Sequence, residues 1–113
     1  MTESSQRKNL LFVCSKNQWR SPTAEKIYER HDQLSVRSRG TSENARRTVR
    51  LADITWADII FLMEHKHKQR LSADYPGAMR LKEVHVLDIP DDYRFMDPEL
   101  VEHLQTAIDP LLA

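Results

Sequence analysis

Apolar positions along the chain fall into short runs separated by polar, helix-forming stretches, and this alternation predicts a succession of strands and helices. NLLFV (Asn9 to Val13) is a short continuous apolar run of the kind covered on both faces in a parallel sheet. Ser21-Pro22 reads as a helix start, with Ser capping free backbone N–H groups and Pro at the first helical position, and TAEKIYERH continues it with good helix formers. LSVRS (Leu34 to Ser38) alternates apolar and polar as a more exposed strand, and Gly40 with Thr41-Ser42 marks a turn and a new cap. ENARRTVRL is assigned to a second helix, Asp58 to Met63 to a buried strand, EHKHKQRLSADY to a polar helix ending near Pro76-Gly77, and Glu83 to Ile89 to a fourth strand. After the acidic turn PDDYRFM, Asp97-Pro98 again pairs a cap with a first-position proline. Leu100, Val101, Leu104, Ala107, Ile108 and Leu111 then form the apolar stripe of a closing helix.

Strands alternating with helices imply right-handed crossovers and a parallel sheet flanked by helices, an α/β three-layer sandwich. Ligands of such sheets bind at the carboxyl ends of the strands. Cys14 and the turn from Asp88 to Tyr93 both fall at that address.

With 113 residues and 40% hydrophobic content, the chain can bury one core, so residues 1–113 are read as a single domain with 1–8 as a flexible N-terminus. Lys+Arg and Asp+Glu are equal at 17 each, which removes the basic excess of an obligate nucleic-acid binder and makes any charge argument local. One cysteine allows neither an internal disulfide nor a thiolate metal cluster, and points to a reducing, cytoplasmic setting. The polar start MTESSQRKN lacks a signal-peptide core, and no run approaches the roughly 20 apolar residues of a membrane helix. His65, His67 and His85 have no metal-ligand spacing and read as surface or strand residues.

The chemistry concentrates in FVCSKNQWRSP. An isolated cysteine at a strand end is most often a small buried apolar residue. Here five residues, Ser15, Lys16, Asn17, Gln18 and Trp19, separate Cys14 from Arg20 and lead straight into a helix, a length that wraps a phosphate with successive N–H groups pointing inward. Such a pocket favours the thiolate and makes Cys14 a nucleophile, while the planar fork of Arg20 fits two phosphoryl oxygens. A leaving oxygen also needs a proton, for which Asp88, Asp91 and Asp92 compete.

CSKNQWRSP resembles the C-x5-R-S phosphate-binding signature of the low-molecular-weight protein tyrosine phosphatases. The resemblance implies a four-stranded parallel sheet, a phosphocysteine on Cys14, phosphate binding by residues 15–19 with Arg20 and Ser21, and no metal or cofactor. It also implies that Asn17 holds the loop backbone and that Ser21 hydrogen-bonds the cysteine. SRGTSENAR and ADIIFLMEHKHKQRL resemble later segments of the family, and IPDDYR resembles its acid loop, which selects Asp91, with Asp92 in the place of the usual proline.

Two departures stand out. Lys16 replaces the usual loop glycine, and would be strained if that position needs positive φ. Trp19 replaces a second cysteine found in many members, which removes the protective disulfide against peroxide and, with no other cysteine, the thiol cascade of arsenate reductases. The implied partner is a phosphorylated substrate, a phosphotyrosine protein by default. The basic segment holding Arg37, Arg39, Arg46, Arg47 and Arg50 keeps open a nucleotide or RNA-end phosphate, or else is a solvated helix face. A binding module without turnover is the reading from a different class. Trp56 is expected to pack at the core or strand entry.

Overall fold

The computed structural model of the chain describes residues 7–112. Within them run β1 (Lys8–Cys14), α1 (Arg20–Tyr28), β2 (Leu34–Gly40), α2 (Leu51–Trp56), β3 (Ile59–Leu62), α3 (His65–Asp74), α4 (Pro76–Arg80), β4 (Glu83–Val86) and α5 (Pro98–Leu112). The strands form one parallel sheet in the order β2-β1-β3-β4. Successive strand residues face opposite sides, so the apolar run of β1 is divided between two cores. Leu10, Phe12 and Cys14 join Ala24 and Tyr28 of α1 and Leu100, Leu104 and Ile108 of α5. Leu11 and Val13 join Ile54 of α2, Leu71 of α3 and Met79 of α4. That double coverage is why the run reads as unbroken, and it makes the three-layer sandwich expected from the sequence.

Phe12 stacks on Phe61 of β3 at 5.5 Å and on Tyr28 at 6.0 Å between ring centroids. Fully buried side chains of this size contribute about 1.5–3 kcal/mol each, so the two central strands give the carboxyl end of the sheet a rigid floor. From β1 the chain crosses to β2 on one side and later to β3 on the other, which opens a crevice at the carboxyl ends of β1 and β3. No helix among the described residues is long and apolar enough to cross a membrane.

Several boundaries differ from expectation for physical reasons. Lys8, placed in a flexible N-terminus, begins β1 and donates its amide to Gln33 O at 3.0 Å, while residues 1–6 of that segment lie outside the described residues. The helix expected over 43–51 is a loop, and α2 starts only at Leu51, with the Arg46 and Val49 amides donating to Lys16 O and Gly40 O instead of to carbonyls one turn back. An additional helix, α4, starts on Pro76, where only a helix end was expected. β4 ends at Val86 because Asp88 takes a positive φ of 55°, although Leu87 and Ile89 still donate to Leu62 O and Met63 O. Asp97 caps α5 as expected, its Oδ1 accepting the Glu99 amide at 2.9 Å.

Candidate active site

Residues 15–19 leave the end of β1 and turn into α1, and their carbonyls are held from outside by the segment after β2. The amides of Thr41, Ser42 and Arg46 donate at 3.0 Å to the carbonyls of Cys14, Ser15 and Lys16, and Arg46 Nε donates to Asn17 O at 3.0 Å. Gly40 permits this approach, because a Cβ there would lie 2.6 Å from Ser15 O. With consecutive carbonyls turned outward, the loop amides face the opposite way, and among the described residues none of the amides of 15–19 donates to another protein group. The result is a nest of N–H groups suited to an anion.

The tight turn falls on Asn17, whose φ is +56°, and not on Lys16. Asparagine tolerates this region better than other side chains do, so the lysine in place of glycine carries no left-handed strain. The Asn17 carboxamide donates at 3.0 Å to both Ser21 Oγ and Ser38 Oγ, and Ser38 in turn donates to Glu25. Ser21 is therefore not the helix cap expected from Ser21-Pro22. Trp19 stands at the N-cap without a capping side chain, and the Ser21 hydroxyl lies 3.0 Å from Cys14 Sγ, placed to donate to a thiolate.

Arg20 is only 2% exposed, and its direction is set by two acceptors and one ion pair. Nη1 donates to Glu64 Oε1 and to Ile89 O, each at 2.8 Å, and Nε lies 3.6 Å from Asp91 Oδ1. Burial works against ionisation of Glu64, but the hydrogen bond and charge of Arg20, with Lys66 and His67 nearby, hold its carboxyl below the ordinary range.

Cys14, Ser15, Lys16, Gln18, Trp19, Arg20 and Asp91 line one cup of about 30 Å³ at the crevice. Among the described residues, the larger hollows contain no cysteine, and the one of about 600 Å³ beside the cup shares only Ser15 with it. Of the residues expected to bind phosphate, Asn17 and Ser21 sit behind the cup as supports. Of the three candidate acids only Asp91 lines it. Asp88 turns toward His65, 3.8 Å away, and Asp92 is exposed outside the cup.

Solved structures share this architecture over nearly the whole chain. The arginine phosphatase YwlE from Geobacillus stearothermophilus superposes with a TM-score of 0.73 at 22% identity, over 92% of this chain and 90% of that one. The tyrosine phosphatase Wzb from Escherichia coli K30, in complex with phosphate, gives 0.75 at 20% identity over 93% and 96%. SP-PTP, a low molecular weight protein tyrosine phosphatase from Streptococcus pyogenes, gives 0.75 at 19% identity over 94% of each. The fold is that of the low-molecular-weight tyrosine phosphatases. No protein-family model matches the chain, and no curated protein sequence does.

Within this phosphatase fold, the sequence reading missed two side chains. Glu64 lies two residues past the end of β3, at the same edge of the sheet as Cys14. His67, expected at the surface, is 1% exposed and touches the loop. Its Nδ1 accepts the Glu64 amide at 3.0 Å, so the ring hydrogen is assigned to Nε2, which lies 2.9 Å from Ser15 Oγ and donates to it. His65, two residues earlier, points to solvent, as the helical spacing requires.

Burial first, then the charge of Arg20, pushes the His67 pKa down from 6.5 to about 4, against the opposing pull of Glu64. A depressed histidine pKa means that the unfolded chain binds a proton that the folded chain refuses. Stability is therefore complete above pH 6.5 and falls as pH drops toward 4, by about 3 kcal/mol in all. Urea unfolding followed against pH checks this. The native chain should lose stability over that window more steeply than His67→Gln, and equal slopes would contradict the neutral, buried ring.

Proposed function

We propose that the chain is a cysteine-dependent phosphomonoester hydrolase acting on aryl phosphates, with phosphotyrosine in a protein as its substrate. The observation that carries this reading is the convergence of Cys14, Arg20 and Asp91 on one cup walled by unpartnered amides. Cys14 thiolate attacks phosphorus while the bond to the leaving oxygen breaks, and Asp91 gives that oxygen a proton. Arg20 and the loop amides hold the equatorial oxygens as their charge develops. Water, losing a proton to Asp91, then attacks phosphorus, the S–P bond breaks, and thiolate and phosphate return.

Trp19 supports the aryl preference. It is the one aromatic residue among the seven that line the cup, and it is 38% exposed, with the Arg94 guanidinium 5.9 Å from its ring centroid. Phe95 and Met96 are exposed as well, and the Met96 amide donates to Thr23 Oγ1 at 2.9 Å, while that hydroxyl donates to Trp19 O at 2.6 Å. One threonine thus ties the acid loop to the aromatic residue in the wall of the cup. An aromatic leaving group emerging from the cup meets this ring.

A second reading, phosphoarginine, rests on the exposed Asp91 carboxylate, which pairs with a guanidinium here and would attract the one on such a substrate. The nucleotide or RNA-end reading draws no support from the arginines that suggested it, since Arg39, Arg46, Arg47 and Arg50 line a different hollow. Initial rates on phosphotyrosine, phosphoserine and phosphoarginine peptides and on a 5′-nucleotide test the proposal. The phosphotyrosine peptide should show the highest kcat/KM. Leadership by phosphoarginine would move the assignment to the P–N bond, and phosphate binding without turnover of any substrate would reduce the chain to a binding module.

The role of Asp91 has its own signature. Asp91→Asn should slow hydrolysis of phenyl phosphate by roughly 10²-fold or more, the usual worth of a general acid, and that of p-nitrophenyl phosphate far less, because its leaving group needs no proton. Equal losses on the two esters would make Asp91 a structural residue.

A further inference from the structure

The arginine-rich segment after β2 builds a second place for an anion. Arg39, Arg46, Arg47 and Arg50 line a hollow of about 420 Å³ that shares no residue with the catalytic cup. Asp53 is the one carboxylate in its wall, and it is already committed. It accepts Arg37 Nη1 at 3.1 Å, Arg39 Nε at 3.2 Å and the Arg50 amide at 3.0 Å. Arg47 reaches Glu25 only at 3.9 Å, with its side chain half exposed. Among the described residues, Arg46 and Arg50 have no carboxylate within ion-pair distance, and Arg46 spends only Nε, on Asn17 O.

Three guanidinium groups therefore surround one cavity with most of their donors open. A guanidinium fork matches a pair of phosphate oxygens, and three forks spread around a hollow of about 420 Å³ leave room for more than one phosphate group. A chain of phosphates offers oxygen pairs in sequence over a cavity of this size. We propose that the hollow is a second anion site, which takes an oligophosphate group such as that of inorganic triphosphate or a nucleoside triphosphate. This explains a basic cluster in a chain of zero net charge, where no excess of cations has to be spread over the surface. The site does not depend on the reaction assigned to the cup.

Titration calorimetry with inorganic triphosphate tests it, using Arg20→Met to disable the cup, or Arg20→Gln if the first variant does not fold. Either protein should still bind one equivalent. Adding Arg47→Glu and Arg50→Glu should weaken binding by about 100-fold, the equivalent of two charge-assisted contacts at the low end of their strength. Arg47→Gln with Arg50→Gln should act in the same direction and less. In the otherwise native chain the double charge reversal should leave p-nitrophenyl phosphate turnover within about twofold, as for surface changes away from a site. Arg46 is kept, because it clamps the catalytic loop. A nucleoside triphosphate binding as tightly as triphosphate, or more tightly, through the same arginines also supports the site. No binding to the cup-disabled chain, binding indifferent to charge reversal, or binding of an RNA oligonucleotide but not triphosphate would overturn it.

Discussion

Cys14→Ser retains the fold and loses p-nitrophenyl phosphate turnover by roughly 10⁴-fold or more, the scale on which deleting a catalytic nucleophile acts. The substitution changes one atom at a site 3% exposed, beside the Ser21 hydroxyl at 3.0 Å, so packing is nearly conserved. What is lost is the sulfur nucleophile, since a hydroxyl is a far weaker nucleophile near neutrality and the residue beside it is another hydroxyl. Phosphate binding should survive, since the amides and Arg20 remain. Steady-state turnover and calorimetric phosphate binding separate the two effects. Retained turnover would remove sulfur from the chemistry.

Arg20→Lys is expected to cost about 10³-fold in kcat/KM, toward the upper end of what removal of one preorganised transition-state donor costs. The charge is conserved and the fork is not. Arg20 uses Nη1 to hold Glu64 and Ile89 O, and this tether leaves its remaining N–H groups for the phosphoryl oxygens. An ammonium group cannot satisfy Glu64 and Ile89 O and also span two oxygens in a plane. Glu64→Gln should give a smaller loss in the same direction, because the fork survives while its tether weakens. Equal activity of the lysine variant would mean that Arg20 acts only as a positive charge.

The sequence disclosed the parts of this site that depend on local pattern. The unbroken run of β1 announced a strand buried on both faces, and the spacing from Cys14 to Arg20 announced a loop closing on a helix. The strand-end rule brought the turn from Asp88 to Tyr93 to the same crevice, and the resemblance of IPDDYR to the family's acid loop selected Asp91 within it, 77 positions from Cys14. It failed where backbone donors serve another segment. ENARRTVRL has helix-forming composition, but the Arg46 amide serves Lys16 O and the Val49 amide serves Gly40 O, so the helix is displaced to Leu51. His67 was misread because its partner Ser15 lies 52 residues away. A weak signal existed, since His67 and Leu71, four apart, share the single buried face of an otherwise polar helix. Glu64 could have been found by applying to β3 the rule that singled out Cys14.

The most direct measurement is acid quench of the enzyme during turnover of an aryl phosphate, followed by mass spectrometry of the peptide that contains Cys14. A phosphoryl group should appear on Cys14 and decay as product phosphate forms; with p-nitrophenyl phosphate, whose departure needs no proton, it should accumulate to a higher level in Asp91→Asn, where the water that releases it lacks its base. Product formation with Cys14 unmodified throughout, or with the phosphoryl group on another side chain, would contradict nucleophilic catalysis by this cysteine.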